Sequence, residues 1–409
     1  MDTFVARQAI LNRQKELYAY ELLFRSNLEQ NSFDGKDSSS ATSQVISNTL
    51  FSAGLEGILA GKKGFINFDK VLLIKGAFSI LPKETLVIEI LESVEPDEEL
   101  VGACARLCSS GYTIALDDFV DHPKFEPLVR MAHIIKIDVL QTPRLEQTRL
   151  VEKYSKQGIR MLAEKVETLE EFESALSIGF DYFQGYFFTK PVVVRGRQIS
   201  TSKISCLRLL QEAQREEMDF DKLRELIQGD VSFSYKLLRY TNSAMFAHQP
   251  EIRTIDQALM AMGEEGIRRW IAIAALPALA KDKPTELMVQ SLLRARFAER
   301  LAWLAGCPVV PNWFMMGLFS LLDALLDRPI EYALQQIRLA PPVEAALLGV
   351  APQEDWMAAV YSLIRGYEAG DWEIVKTLAE HLKVSVDDIG AAYVGAAAWV
   401  TEATSAAGN

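Results

Sequence analysis

The stretch Tyr112–Phe119, with the sequence YTIALDDF, decides the fold of the first half of this chain. It is a short apolar run that ends in two adjacent carboxylates, Asp117 and Asp118. A run of this length and composition is typical of a buried strand. Burying two charges at its end without partners is costly, so they indicate a functional edge of a sheet.

The same pattern recurs through the first 190 residues. The predicted strands are Phe4–Ile10, Leu17–Phe24, Gly64–Phe68, Thr85–Leu91, Tyr112–Leu116, His133–Ile137, Arg160–Glu164 and Asp181–Phe183. Amphipathic segments lie between most of them, at Ser43–Ala60, Glu98–Ser109, Arg144–Gln157 and Leu169–Ile178. Such repeated units predict an α/β barrel or a doubly wound sheet. The first two strands form a predicted hairpin, an antiparallel entry into an otherwise parallel barrel.

Polar residues interrupt or end most of these strands. They are Glu21, Asn67, Glu89, Asp117, Asp118, Lys136, Asp138, Glu164 and Gln184. In a parallel barrel the carboxyl ends of the strands converge on one face, where the active site lies. The five carboxylates expected on that face repel one another unless cations neutralise them; they are Glu21, Glu89, Asp117, Asp118 and Glu164. A single glutamate there is typical of a salt bridge, but the whole set has few cationic partners besides Lys136 and Arg25.

The donor types favour a particular metal chemistry. Carboxylates with an asparagine carbonyl and no histidine suit Mg²⁺ or Mn²⁺. The adjacent pair Asp117 and Asp118 would bridge two ions, an arrangement suited to phosphodiester hydrolysis. Lys136 would hold the attacking water or balance charge.

Composition limits the alternatives. The 409 residues carry a formal charge of −12, which disfavours binding to nucleic-acid polymers. The chain has four histidines, so a metal site of clustered imidazoles is excluded.

The four cysteines lack zinc-ligand spacing and are typical of buried thiols in a reducing cytoplasm. The start at Met1 lacks a signal segment, so we expect a cytoplasmic protein. The uncharged run Leu301–Leu322 favours two soluble helices joined by a turn over a membrane span.

The second half reads as helical. The strand pattern ends near Thr189–Pro191, and the clearest helices are Val231–Arg239, Ile255–Met262, Glu265–Leu279, Glu286–Ala305, Trp313–Leu325 and Ile330–Ile337. We therefore predict a barrel over residues 1–195 and a helical domain with a C-terminal extension over residues 196–409. Trp270, Trp303 and Trp313 are expected in the helical core. The alanine-rich segment Ala391–Val400 packs either on its own domain or on a second subunit of a homodimer.

The motifs of the first 190 residues resemble EAL domains, which hydrolyse cyclic di-GMP to linear pGpG. The matching residues are Glu21-Leu22-Leu23 with Arg25, Asn67, Glu89 and Glu92, Asp117-Asp118-Phe119, Lys136-Ile137-Asp138, Glu164-Lys165-Val166-Glu167 and Gln184-Gly185. The resemblance implies a modified TIM barrel with one antiparallel strand.

The resemblance also implies roles for these residues. One metal ion would be held by Glu21, Asn67, Glu89 and Asp117, and a second by Asp117 with Asp118. The catalytic group would comprise Lys136, Glu164, Asp118 and Gln184. Substrate would be bound by Arg25, Asp138 and Gln184.

The sequence departs from the family pattern around the metal ligands. Val120 follows Phe119 where the family has glycine, and Asp121-His122-Pro123-Lys124 replaces a glycine- and serine-rich loop. In the family that loop helps to organise metal binding and dimerisation. Lys165 replaces a glycine, and Ser26 replaces a tryptophan. The predicted ligand set is intact while its surroundings are altered, a change that alone costs about 10–100-fold in affinity or activity.

The helical half carries further motif residues, at Val231–Tyr240, Asn242–Ala244, Ile255–Gly263 and Arg268–Trp270. On these residues, the stretch 202–350 resembles an HDOD domain, an all-α relative of the HD phosphohydrolases. The hydrolytic relatives have His-Asp where this chain has Ser320-Leu321, and the only histidines after residue 200 are His248 and His381. Both observations strongly disfavour metal hydrolysis by the helical half. Two hypotheses follow. The first is a metal-dependent cyclic di-GMP phosphodiesterase whose HDOD domain regulates it or docks a protein partner. The second is a degenerate EAL domain that senses cyclic di-GMP or acts as a scaffold.

Overall fold

A computed structural model describes residues 4–25, 54–76, 82–92, 94–190, 201–213, 215, 217–242, 252–307, 312–335, 337, 339–352 and 355–408. The chain divides into two compact units. The first, the barrel unit, comprises Met1–Lys190 and Arg365–Asn409, and the second, the helical unit, comprises Pro191–Ile364.

The barrel unit contains eight strands that close in sequence order. They are β1 (Phe4–Asn12), β2 (Leu17–Arg25), β3 (Lys63–Phe68), β4 (Leu86–Ile90), β5 (Thr113–Leu116), β6 (Ile134–Asp138), β7 (Arg160–Glu164) and β8 (Tyr182–Gln184). β1 is antiparallel to both β2 and β8, and all other neighbours are parallel. The predicted barrel with one antiparallel strand is therefore confirmed.

The hairpin between β1 and β2 is fixed by its own side chains. Asn12 Oδ1 accepts hydrogen bonds from the backbone N–H groups of Gln14 and Glu16, both at 2.9 Å. Lys15 has a left-handed backbone with φ 62°. Asparagine is a turn former because its side chain bonds to the backbone two residues on.

Six helices follow the barrel strands. They are α1 (Gly54–Leu59), α2 (Lys70–Lys75), α3 (Glu98–Ser109), α4 (Glu126–Val129), α5 (Arg144–Ser155) and α6 (Leu169–Ile178), with a 3₁₀ turn at Pro123–Phe125. Residues 43–53 of the predicted Ser43–Ala60 helix lie outside the described residues. Thr168 begins α6 with a capping box, in which its hydroxyl accepts from Glu171 N and Glu171 bonds back to Thr168 N.

The helical unit and the end of the chain contain no described strand. Their helices are α7 (Thr201–Ala213), α8 (Phe220–Gln228), α9 (Val231–Thr241), α10 (Ile255–Leu279), α11 (Thr285–Leu304), α12 (Asn312–Phe319), α13 (Leu322–Leu326), α14 (Ile330–Leu334), α15 (Pro341–Leu348), α16 (Trp356–Ala369), α17 (Trp372–Leu382) and α18 (Val386–Gly408). The backbone of α10 is broken at Gly263, with φ 65° and ψ 172°, where two separate helices were expected. None of the described helices has the length and apolar content needed to cross a bilayer.

The tryptophans of the helical unit divide between core and surface. Trp270 and Trp313 are buried as expected. Trp303 is 74% exposed, so its predicted place in the core is wrong. The buried residues of α11 lie on more than one side of the helix, among them Leu287, Leu292 and Phe297, so the sequence alone does not identify which of its apolar residues face the core.

The last helices of the chain belong to the barrel unit. Thr401 Oγ1 in α18 donates to the carbonyl of Gly57 in α1 at 3.0 Å, and the backbone N–H of Arg7 in β1 donates to Tyr393 Oη at 3.3 Å. Parallel strands of a barrel are each covered by the helix that follows them, but β1 turns directly into β2. Helix α18 supplies that cover. The compact units therefore differ from the expected division, in which residues 196–409 formed one domain.

Candidate active site

An apolar layer fills the middle of the barrel, and a polar layer lies at the carboxyl ends of the parallel strands. The apolar layer consists of Ile10, Ala19, Phe65, Val87, Ala115, Ile134 and Leu162. Because side chains alternate between the two faces of a strand, the residue two positions further on points to the same face. For β2 to β7 those residues are Glu21, Asn67, Glu89, Asp117, Lys136 and Glu164.

Two glutamines complete the polar layer. Gln184 follows Tyr182, which packs against the apolar layer, by two positions. β1 runs the opposite way, so Gln8, two positions before Ile10, takes the equivalent place. Gln184 Nε2 donates to Gln8 Oε1 at 2.7 Å and also to Glu21 Oε2. Gln8 is absent from the predicted site residues, although the antiparallel direction of β1 is a signal that identifies it.

Lys136 is the centre of the polar layer and is fully buried. Its Nζ lies 2.7 Å from Glu89 Oε1, 2.7 Å from Asp117 Oδ1, 2.9 Å from Glu164 Oε1 and 3.5 Å from Glu21 Oε2. One ammonium group thus faces four carboxylates. The structure brings these predicted residues together, with Asn67 Nδ2 3.4 Å from Glu21 Oε1.

Burial and neighbouring charges together raise the pKa values of Lys136, Glu89 and Glu164. Burial alone would lower the pKa of Lys136, but the surrounding carboxylates outweigh it and raise that pKa well above the ordinary lysine value. Burial, with the nearby Glu21 carboxylate, raises the pKa of Glu89 well above its ordinary value. Burial also raises the pKa of Glu164 to about 8. The cluster therefore holds more negative charge than one lysine neutralises.

Several buried oxygen atoms of the cluster have no hydrogen-bond partner among the described residues. They are Asn67 Oδ1, both Glu89 oxygens, Asp117 Oδ1, Asp118 Oδ1, Glu164 Oε2 and Gln184 Oε1. Glu89 Oε1 and Asp117 Oδ1 do approach the Lys136 ammonium, but without hydrogen-bond alignment. An unsatisfied buried polar atom costs about 1–3 kcal/mol, so this many in one place points to a ligand.

Oxygen atoms of this kind fit Mg²⁺ or Mn²⁺ by their chemistry. Among the described residues, no group of three or more His, Cys, Asp or Glu side chains is placed to hold a metal ion as it stands. The carboxylates are instead drawn towards Lys136. The donor types therefore fit a divalent ion, although the carboxylates are not gathered around a common point for that ion.

Asp118, Asp138 and Lys165 form a second charged group beside the layer. Lys165 Nζ lies 2.5 Å from Asp138 Oδ2 and 3.8 Å from Asp118 Oδ1. Asp138 Oδ1 accepts from the backbone N–H groups of Leu140 and Gln141 at 2.8 and 3.0 Å. Burial alone would raise the pKa of Asp138, but these hydrogen bonds, with that of Lys165, outweigh it and lower the pKa. Burial raises the pKa of Asp118.

The altered loop after Phe119 is held in place by contacts between Asp121 and helix α5. Asp121 accepts a hydrogen bond from Tyr154 Oη at 2.6 Å and forms ion pairs with Arg149 at 2.7 Å and Lys153 at 2.9 Å, all on α5. The ring of Phe119 packs edge-on against Tyr154 at 5.5 Å. The loop that stands in place of the family's glycine- and serine-rich loop is thus fixed by its contacts with α5.

For two of the motif residues, Arg25 and Glu92, the structure describes no contact within the site. Arg25 ends β2, and its side chain lies outside the described part of the chain. Glu92 follows β4 and is exposed. The predicted role of Arg25 in substrate binding therefore stays a prediction.

In the helical unit, Ser320 stands where the hydrolytic relatives are expected to have histidine, and its side chain makes structural hydrogen bonds. Ser320 Oγ accepts from Arg294 Nη1 at 3.1 Å and donates to the Gly317 carbonyl at 2.7 Å. The described part of this unit contains no histidine. A Cβ on Gly317 would lie 2.3 Å from the Arg294 carbonyl oxygen, so glycine is needed where α11 and α12 approach.

Comparison with known proteins supports both units. The EAL domain family matches residues 67–191, and the HDOD domain family matches residues 201–326. Protein YuxH of Bacillus subtilis is 36% identical over 390 residues, covering 93% of this chain and 94% of YuxH. Cyclic di-GMP phosphodiesterase CdgJ of Vibrio cholerae is 35% identical over 401 residues, covering 97% of this chain and 92% of CdgJ.

Solved structures match less of the chain. Klebsiella pneumoniae BlrP1 with manganese and cy-diGMP is 21% identical, with a TM-score of 0.38, covering 46% of this chain and 55% of that chain. The closed barrel with its carboxylate layer and the helical unit define a protein with an EAL domain followed by an HDOD domain. The chain belongs to the family that includes YuxH and CdgJ.

Proposed function

We propose that this chain is a divalent-metal-dependent phosphodiesterase that converts cyclic di-GMP to linear pGpG. The observation that carries the proposal is the set of partnerless buried oxygens around Lys136 at the mouth of the barrel. This position is where barrel enzymes carry their active sites. The identity to CdgJ over nearly the whole chain supports the same substrate.

Two Mg²⁺ or Mn²⁺ ions complete the proposed site. Glu21, Asn67, Glu89 and Asp117 would hold the first ion, and Asp117 with Asp118 would hold the second. Such ions activate a water molecule and stabilise negative charge on the phosphodiester oxygens.

The remaining residues act on water and substrate in this proposal. Glu164 Oε2 and Gln184 Oε1 are both buried without a partner, so each can accept a hydrogen bond from the attacking water. In its carboxylate form, Glu164 would take the proton that this water releases. Lys136 holds the carboxylates around the water. Arg25 and Asp138, with Gln184, would bind the substrate, and a guanidinium suits a phosphate.

A second candidate is a cyclic di-GMP receptor or scaffold that does not hydrolyse the nucleotide. The observation that favours it is the ion pairing of Lys165 with Asp138 beside Asp118, at a site where a second metal ion is expected. Under either candidate the helical unit serves as a regulatory or protein-docking module, and a homodimer is an open alternative. The four free cysteines support a cytoplasmic location.

Incubation of the purified full-length protein with cyclic di-GMP and either Mg²⁺ or Mn²⁺ tests this proposal. We expect pGpG from the wild type and a loss of at least about 100-fold in Glu21→Gln, because an isosteric amide removes one ligand charge. Glu126→Gln, which changes an exposed glutamate paired with Arg130, is the matched control and should retain the rate. Absence of pGpG from the wild type with both metals would contradict the proposal. Calorimetric binding of cyclic di-GMP without hydrolysis would identify the receptor.

A further inference from the structure

Lys165 occupies an unusual place directly after β7. Its backbone is left-handed, with φ 57°, a conformation that glycine adopts without strain and lysine does not. The neighbouring backbone is fixed on both sides. Val139 N donates to the Glu164 carbonyl at 3.2 Å, and Val166 N donates to the Gln184 carbonyl at 3.0 Å. The side chain of residue 165 therefore starts from a fixed point at the mouth of the barrel.

The ammonium of Lys165 reaches the carboxylates beside the polar layer. It bonds to Asp138 Oδ2 at 2.5 Å and lies 3.8 Å from Asp118 Oδ1. The second distance is too long for a hydrogen bond, and Asp118 Oδ1 has no partner among the described residues. Lys165 thus supplies positive charge near Asp118 without satisfying its oxygen.

The two lysines of the site differ in their freedom to move. Lys136 is fully buried among four carboxylates, whereas the side chain of Lys165 is 47% exposed and reaches its partners from the surface. A half-exposed lysine on a flexible stem is displaced at small cost, since exposed ion pairs are weak. Lys165 is therefore a removable cation, in contrast to Lys136.

We propose that Lys165 is a tethered cation that competes with the second metal ion for Asp118. This inference rests on the proposed function, which assigns that ion to Asp117 and Asp118. The second ion binds only when the Lys165 ammonium moves away, because two cations so close repel each other. The two ions then bind with well-separated affinities, and the concentration of free divalent metal sets how much of the protein is fully loaded.

Titration of the full-length protein with Mn²⁺, followed by electron paramagnetic resonance of the free ion and without nucleotide, tests the competition. The wild type should bind a first ion tightly and a second weakly. Lys165→Met and Lys165→Gly should tighten the second site about 10-fold or more and leave the first unchanged, as expected when a neighbour of a ligand is altered. Lys165→Arg keeps the charge and should keep the weak second site. Glycine also removes the backbone strain, so this variant remains informative if the methionine variant fails to fold.

Lys190→Met is the matched control, because Lys190 pairs with Glu167 at 2.9 Å and is exposed to a similar degree. It should bind both ions as the wild type does. The competition would be overturned if the second site bound Mn²⁺ equally well in the wild type, Lys165→Met and Lys165→Gly. It would also be overturned if the two variants bound the second ion more weakly than the wild type. Either result leaves the proposed function standing if the first ion binds and pGpG forms. Absence of any Mn²⁺ binding and of pGpG would refute the proposed function, and the competition with it.

Discussion

The barrel unit and the helical unit both bury charged side chains, but their surroundings differ. In the helical unit, Lys203 Nζ donates to Asp282 Oδ1 at 2.7 Å and to the Leu325 carbonyl at 2.8 Å. In the barrel unit, Lys136 faces four carboxylates, and several of their oxygens accept no hydrogen bond. Every partnerless buried side-chain oxygen in the described part of the chain belongs to the barrel site.

The difference separates a structural charge from a functional one. Burying an ion pair contributes little to stability even when the geometry is good, because desolvation offsets the attraction. A lysine with matched acceptors is therefore consistent with a role in packing. A cluster that leaves acceptors unmatched destabilises the fold, and such a cost is typical of binding and catalytic sites. The comparison is open to direct tests in both units.

The largest expected effect on stability comes from removing the central lysine. Lys136→Met leaves four carboxylates around an apolar side chain, so we expect a loss of about 3–5 kcal/mol in the free energy of unfolding. Mn²⁺ should restore part of this loss, since a bound cation replaces the missing charge and stabilises the native state. Calorimetric unfolding with a chelator and with Mn²⁺ measures both effects.

Lys203→Met is the matched variant in the helical unit. It also removes a mostly buried ammonium, but one that donates hydrogen bonds to the Asp282 carboxylate and to the Leu325 carbonyl. Mn²⁺ should therefore leave the loss of stability of Lys203→Met relative to the wild type unchanged. A Lys136→Met penalty that is the same with chelator and with Mn²⁺ would contradict the distinction.

A smaller effect separates stability from activity within the barrel. Glu89 is fully buried and its pKa is raised well above the ordinary value, so its charged form is unfavourable in the fold. Glu89→Gln should leave the unfolding temperature unchanged or higher while lowering hydrolysis by about 100–1,000-fold, because the carboxylate proposed as a ligand of the first metal ion is lost. Thermal unfolding and pGpG formation on the same preparation measure the two quantities.

Ser320→Ala in the helical unit should give the reverse result. It removes the acceptor of Arg294 and should lower stability by about 1–2 kcal/mol while hydrolysis continues. A Glu89→Gln variant that retained its activity and lost stability would remove the basis for calling the barrel cluster functional.

The sequence was sufficient to predict all eight strands and most of the polar layer. Each apolar run ends in a polar residue that cannot be buried cheaply, and this pattern is local to a few residues. β7 illustrates the success, since Arg160–Glu164 is both the predicted and the observed strand. Gln8 was not predicted as a site residue, because in the antiparallel strand β1 the polar residue comes before the apolar residues rather than after them.

The packing of the chain end could not be predicted from local patterns. Arg7 and Tyr393 are 386 residues apart, and Thr401 and Gly57 are 344 residues apart. Alanine-rich helices fit against many surfaces, so composition does not select one. The αL backbone of Lys165 and the anchor of Asp121 on α5 are likewise set by tertiary contacts rather than by the sequence around them.

The smallest predicted effect concerns Asp121, which lies in the barrel unit but has matched partners like the buried charges of the helical unit. Its carboxylate is fully matched by Tyr154, Arg149 and Lys153, but both cations are largely exposed. Burial alone would raise its pKa, and these partners outweigh it and lower the pKa to about 2. A lowered pKa in the folded state contributes stability at neutral pH, and this contribution is lost as the pH falls through the folded value.

Asp121→Asn should therefore destabilise the barrel at pH 7, by about 1–2 kcal/mol after allowance for solvent screening of the partners. About half of this penalty should be gone near pH 3 and nearly all of it near pH 2, because the wild-type carboxyl becomes protonated over that range. Unfolding temperatures of wild type and variant at a series of pH values measure the difference. A penalty that did not change with pH would mean that Asp121 acts through packing and hydrogen bonding alone. A penalty that falls as described would place Asp121 with the matched charges of the helical unit, although it lies only three residues from Asp118.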